Sequence, residues 1–240
     1  MRRASDLFEQ PETLTNDICH WSRANSYVYV ETPKVACTTI KQVLQAAELG
    51  TARAGERPAD VHDRRSSPLL TPDIDQDAFL RALQDPDVFR FAFVRNPYAR
   101  ALSCWLDKMV HNTFERARLA PMLGLDPDSV PAFADFLAAV SEQAIGARDI
   151  HWESQAYLLR PDRIRYSFIG RFEFFRAQFR AVCARLGIEA HADELPDTWH
   201  ATNASSKVRD HVGPREADLI QKIYADDFRN FGYGWDPAVI

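Results

Sequence analysis

Two short stretches of this chain bring together the residue types that hold small, highly charged anions. In Thr32-Pro33-Lys34-Val35-Ala36-Cys37-Thr38-Thr39 an ammonium and three hydroxyls stand between a hydrophobic run and an amphipathic one. Placed at the start of a helix, their backbone N–H groups and the positive end of the helix dipole form an anion cradle. The stretch lacks the Gly-x-x-x-x-Gly-Lys frame that wraps a triphosphate. A single phosphate bearing an anionic leaving group therefore suits it better than ATP. The second stretch, Phe93-Val94-Arg95-Asn96-Pro97-Tyr98-Ala99-Arg100-Ala101-Leu102-Ser103, offers a guanidinium and, two helical turns on, a hydroxyl. Planar charge-assisted contacts from Arg95 and an oriented donor from Ser103 suit a terminal phosphate monoester.

Both stretches need a strand before them and a helix after them, and the flanking sequence supplies these. Tyr27-Val28-Tyr29-Val30 and 88–94 read as strands from their β-branched and aromatic content. Ile40, Val43, Leu44 and Ala47 recur at helical spacing, with Thr38 or Thr39 expected as the N-cap. Asn96-Pro97 gives the next helix a cap and a first-turn proline, and Ala101, Leu102, Trp105 and Met109 mark its apolar face. Further on, Ser129 and Pro131 open a helix through Phe136 and Val140, and 166–170 reads as a strand. Phe175, Phe179, Val182 and Leu186 stripe a helix that Gly187 closes. A last helix runs from Gly213-Pro214 to about Phe231, while 50–72 reads as a long polar loop. Alternating strands and helices predict an α/β fold: one domain over 1–240, with a P-loop-like parallel sheet flanked by helices and ligands beyond the carboxyl ends of its strands.

Composition narrows the partners. With 240 residues, 46% of them hydrophobic, the chain can bury a full core. A net charge of −5 argues against nucleic-acid binding, which calls for a basic excess. No run is long and apolar enough to span a bilayer, and acidic residues interrupt the N-terminal region where a signal peptide would be apolar. The four scattered cysteines lack the spacing of a metal site, so no metal is expected and the thiols are read as reduced. Together these point to a cytoplasmic protein.

The two anion-binding stretches also carry a resemblance. P-K-V-A-C-T-T-I-K at 33–41 resembles the 5′-phosphosulfate loop of the membrane-type carbohydrate sulfotransferases, the chondroitin and heparan 2-O enzymes included. F-V-R-N-P-Y-A-R-A-L-S at 93–103 resembles their 3′-phosphate motif. The region 158–173 is similar to the family's L-C-x-P-C-x-I-x-Y-x-F-I-G-K-x-E, with Leu159 and Asp162 where those enzymes often have cysteines. The ending Y-A-D-D-F-R-N-F-G-Y at 224–233 is similar to the family's terminal motif.

The resemblance implies the sulfotransferase fold and a sulfuryl transfer from 3′-phosphoadenosine 5′-phosphosulfate to a hydroxyl of a sugar or similar acceptor, without a metal. It assigns Pro33, Lys34, Val35, Ala36, Cys37, Thr38, Thr39, Arg95 and Ser103 to the donor, and Lys34 to the charge that develops on transfer. A histidine is the natural group to take the acceptor's proton. His62, in Asp60-Val61-His62-Asp63, stands roughly where heparan 2-O enzymes carry theirs. His151, in Asp149-Ile150-His151-Trp152-Glu153, matches a His-Trp pair of chondroitin-type relatives, and His111 ranks third. Cys37 is read as packing, and the segment 113–130 as an acceptor-side insertion with no legible specificity code. A nucleotide kinase and a non-catalytic phosphoadenosine binder are the alternatives. The first would need a Walker A frame and a magnesium-binding acid, and the second would lack a base.

Overall fold

The hydrophobic runs that precede the two anion-binding stretches are adjacent strands of one sheet. In this computed structural model, which describes residues 3–50, 60–189 and 204–239, β2 (Tyr27–Val30) and β3 (Phe89–Val94) pair in parallel, Tyr29 opposite Phe91. β4 (Phe168–Arg171) pairs in parallel with the other edge of β3, Gly170 opposite Phe93. β1 (Cys19–Ser22) joins β2 antiparallel, giving the order β1-β2-β3-β4. The fold is thus the expected α/β class with a parallel core of three strands, to which β1 is an antiparallel addition. Cys-His-Trp-Ser gave no clear signal because its apolar–polar alternation lasts only four residues and follows directly on a helix.

The chain forms two compact units, Met1–Val94 with Leu158–Trp199, and Arg95–Tyr157 with His200–Ile240. The first holds the sheet. Residues two apart on a strand share a face, so Tyr27 and Tyr29 of β2 lie with Phe91 and Phe93 of β3. They pack on Ile40, Val43 and Leu44 of the helix Cys37–Leu49 and on Phe175, Phe179 and Val182 of the helix Phe175–Leu186. The latter ends at Gly187 with φ 69°, the left-handed cap its sequence predicts. In the same unit the Trp21 ring meets Phe79 of the helix Gln76–Gln84 edge-on at 5.6 Å.

The second unit is helical among its described residues. Asn96 caps the helix Pro97–Trp105 by accepting from the Tyr98 N–H at 3.0 Å, as expected, and a π-helical turn, Leu106–His111, continues it. Two expectations need correction. The helix expected from Gly213 to Phe231 is two, Pro214–Ile223 and Ala225–Phe231, parted at Tyr224, whose hydroxyl donates to the Trp152 carbonyl at 3.0 Å. The N-cap of the Cys37–Leu49 helix is Ala36 rather than Thr38 or Thr39, which lie inside the first turn. Among the described residues no helix is long and apolar enough to cross a membrane.

Candidate functional site

The 32–39 stretch links the end of β2 to the Cys37–Leu49 helix, and its backbone is unusual for its composition. Lys34 has φ 70° and Ala36 φ 56°, both in the left-handed region that residues with a Cβ occupy at a cost of about 1 kcal/mol or more. They bracket Val35, which has no positive φ. Alternation of this kind turns successive N–H groups toward one point and is the backbone form of an anion nest, here at a helix N-terminus. The Thr32 hydroxyl donates to the Phe93 carbonyl and ties the start of the loop to the end of β3. Cys37 is a free thiol whose pKa burial pushes up to about 12, so it is inert at neutral pH, consistent with the packing role.

Beneath the loop lies a polar network that the sequence reading did not find. Thr38, Lys41, Gln45 and Glu48 follow at helical spacing and form a second stripe on the Cys37–Leu49 helix, beside its apolar one. The Lys41 ammonium is buried and donates to Glu31 Oε1 at 3.2 Å, with Oε2 at 2.9 Å. Gln45 donates to the Val61 carbonyl at 3.0 Å, and Glu48 accepts from the Ser22 hydroxyl at 2.6 Å. His20 lies 2.9 Å from Glu31 through Nε2, while Arg64 donates to its Nδ1 at 2.5 Å. Since Arg64 has only donors, His20 Nδ1 accepts and Nε2 carries the proton to Glu31. Burial pulls the His20 pKa down to about 4, against the raising effect of Glu31. Burial alone would raise Glu31, but Lys41 and His20 outweigh it and hold the carboxylate far below its ordinary range.

His62 joins this network. Lys41 donates to His62 Nδ1 at 2.7 Å, and His62 Nε2 lies 3.0 Å from Thr38 Oγ1. An ammonium cannot accept, so the His62 proton sits on Nε2 and points at Thr38. The structure thus brings Thr38 and His62 together, with Lys41 as the bridge.

In the second unit Arg95 follows directly on β3 and is buried, as is Ser103 on the helix that starts at Pro97. The Gln155 side-chain amide grips the Arg95 backbone from both sides, accepting from its N–H at 2.8 Å and donating to its carbonyl at 2.9 Å. Gln155 is held by the buried carboxylate of Asp227, which accepts from the Gln155 backbone and side chain at 3.0 and 3.2 Å, from Ala156 N–H at 2.8 Å and from the Ser154 hydroxyl at 3.0 Å. The Arg95 guanidinium donates to the Ser205 hydroxyl at 3.3 Å. Ser205 lies on the helix Ala204–His211; Asn203 beside it falls outside the described residues. Arg100, one turn after Asn96, is buried and donates to the Glu153 carbonyl at 2.7 Å. A guanidinium with a fixed backbone and two serines on neighbouring helices is a donor set fit for a phosphate monoester.

His151, in the second unit, pairs with Asp149. Its Nδ1 is 2.6 Å from Asp149 Oδ1, the same oxygen that accepts its backbone N–H at 3.0 Å. His111 ends the π-helical turn and is exposed. Glu31, Lys41, Gln155 and Asp227 were not singled out from sequence. The signals available were a polar stripe through a buried helix face and a Gln four residues beyond His151.

A profile of the sulfotransferase family matches residues 21–234, and the chain belongs to that family. It is similar to carbohydrate sulfotransferase 10 of Rattus norvegicus, 27% identical over 231 residues, covering 86% of this chain and 64% of that protein. The figures for carbohydrate sulfotransferase 10 of Homo sapiens are also 27%, 231 residues, 86% and 64%. Carbohydrate sulfotransferase 14 of Danio rerio is 25% identical over 223 residues, covering 86% of this chain and 59% of that protein. The chain thus spans less than two thirds of the length of these relatives. No solved structure matches it.

Proposed function

We propose that this protein transfers a sulfuryl group from 3′-phosphoadenosine 5′-phosphosulfate to a hydroxyl of a carbohydrate. The observation that carries the reading is the nest at 34–36, with its two left-handed residues, set at the N-terminus of the Cys37–Leu49 helix in a chain of the sulfotransferase family. The names of its relatives favour a sugar as the acceptor. When bound, the donor supplies an activated sulfuryl group on its 5′-phosphate. In this reading the N–H groups of 34–39 and the Lys34 ammonium take the 5′-phosphosulfate end, and Lys34 stabilises the charge that builds on the bridging oxygen. Arg95 and Ser103 take the 3′-phosphate, with Gln155 and Asp227 holding Arg95 in place. A histidine, His62 or His151, takes the proton of the attacking hydroxyl. The test is incubation with 35S-labelled donor and a panel of desulfated glycans. Label in a glycan is the expected outcome, and a panel that stays unlabelled while ADP or ATP binds as well as 3′,5′-diphosphoadenosine would overturn the reading.

A further inference from the structure

The polar network below the 32–39 loop ends in a hydroxyl whose role as donor is set by everything behind it. The fixed end of that network is on the sheet. Glu31 follows directly on β2, its N–H donates to the Ile18 carbonyl at 2.8 Å, and His20 of β1 lies 2.9 Å from its carboxylate. The buried Lys41 ammonium faces both Glu31 oxygens and gives another proton to His62 Nδ1 at 2.7 Å. Since that nitrogen accepts, His62 Nε2 carries the ring proton and donates it to Thr38 Oγ1 at 3.0 Å. A hydroxyl that accepts from its neighbour still has its own O–H to give. Among the described residues nothing takes it from Thr38.

The packing around this chain of donors keeps it in one arrangement. Gln45, one helical turn beyond Lys41, donates to the Val61 carbonyl at 3.0 Å, and the His62 N–H donates to Asp60 Oδ1 at 2.8 Å. Residues 60–62 are thus seated along the same stripe of the Cys37–Leu49 helix that Thr38 begins. A buried ion pair adds little net stability over apolar side chains of the same volume. The Glu31–Lys41 pair does what apolar side chains cannot, because the charge on Lys41 dictates which His62 nitrogen holds the proton. Every member of the chain, together with the nest at 34–36, belongs to the first compact unit. Thr38 lies two residues beyond the left-handed Ala36, in the first turn of the helix whose N–H groups face the nest.

Resting on the sulfotransferase reading, we infer that Glu31, Lys41 and His62 are positioning residues that make the Thr38 hydroxyl a committed hydrogen-bond donor to the 5′-phosphate end of the nucleotide in the loop. Hydrogen bonds in a chain polarise one another, so the ammonium at its head strengthens the donor at its tip without placing a second charge beside the anion. In this role His62 gives a hydrogen bond and holds Thr38 in one rotamer. The hydroxyl of Thr39, next in the chain, has no hydrogen-bond partner among the described residues, and nothing there fixes its direction.

The test is a double-mutant cycle read by calorimetry with two ligands: 3′,5′-diphosphoadenosine, and adenosine 3′-monophosphate, which lacks the 5′-phosphate. Thr38→Val removes the hydroxyl at nearly constant volume and should weaken 3′,5′-diphosphoadenosine about 10–100-fold. His62→Phe keeps a ring but removes its nitrogens. It should weaken that ligand about three- to tenfold when Thr38 is present and less than about twofold in Thr38→Val. Adenosine 3′-monophosphate should bind all of these variants alike. Lys41→Met would strand the Glu31 charge, so it is made together with Glu31→Gln, and the pair should act as His62→Phe does. If that double variant fails to fold, His62→Phe decides, since its side chain is exposed. In 15N spectra of the ligand-free protein the His62 proton should be on Nε2. Additive losses in the cycle, a proton on Nδ1, or a His62→Phe variant that loses turnover while binding the nucleotide as before would overturn the inference. Failure of the sulfotransferase reading would look different: the unmutated protein would bind 3′,5′-diphosphoadenosine no better than ADP, whatever the His62 tautomer.

Discussion

Lys34, Arg95 and His20 are each asked to do something different, and each can be tested singly. If Lys34 meets charge that develops only during transfer, Lys34→Ala should lower kcat by about 10²–10³-fold while nucleotide affinity falls less than tenfold. If Arg95 holds the 3′-phosphate, Arg95→Ala should bring 3′,5′-diphosphoadenosine and AMP to similar affinities in calorimetry, a result that unchanged discrimination would contradict. His20 makes a prediction about stability. Its pKa is lowered in the fold to about 4 from an ordinary 6.5, so between those values the unfolded chain binds a proton that the native protein does not, and stability falls as pH drops through that window. The expected loss between pH 7 and pH 5 is about 2 kcal/mol from this group, and urea denaturation of His20→Gln should show a flatter dependence. Lys34, Arg95 and Ser103 were legible in the sequence because each stands at a fixed offset from a strand end and a helix start. Glu31, His20 and Arg64 were not, since their partners are brought together by strand pairing and by the return of the 60–70 segment, which no local spacing encodes.

At the scale of elements, the strands and their helices were legible where side-chain period and capping chemistry agreed. Asn96-Pro97 and Gly187 are such cases. β1 was hidden by its shortness and by the helix directly before it, and the break at Tyr224 by an apolar pattern that continues across it. The ends of β3 and β4 are held in register by a close approach. A Cβ on Gly170 would lie 2.2 Å from Cε1 of Phe93, a ring that also packs on Phe175 and Phe179. Gly170→Ala should therefore force Phe93 to move and cost about 1–3 kcal/mol. A thermal melt of the variant checks this, and an unchanged melting temperature would mean that the ring has room to yield. The N-terminal turn of the Cys37–Leu49 helix is the other informative element. It starts without a side-chain cap, and its first N–H groups are presented by a left-handed Ala36. A helix start left uncapped by its own side chains and preceded by a nest is what an anion site requires.

For the molecule as a whole, one family profile spans nearly the full described chain, and each unit contributes one of the two motifs: the nest with Lys34 in the first, the clamped Arg95 with Ser103 in the second. The central claim is that the ligand is an adenosine carrying phosphate at both its 3′ and 5′ positions. The most direct measurement is a thermal shift with 3′,5′-diphosphoadenosine, ADP and ATP at equal concentration and without magnesium. Preferential binding to the folded state raises the melting temperature, and at equal concentration the tighter ligand raises it more. The account predicts a shift with 3′,5′-diphosphoadenosine several degrees above those of the other two. Equal shifts from all three would contradict it.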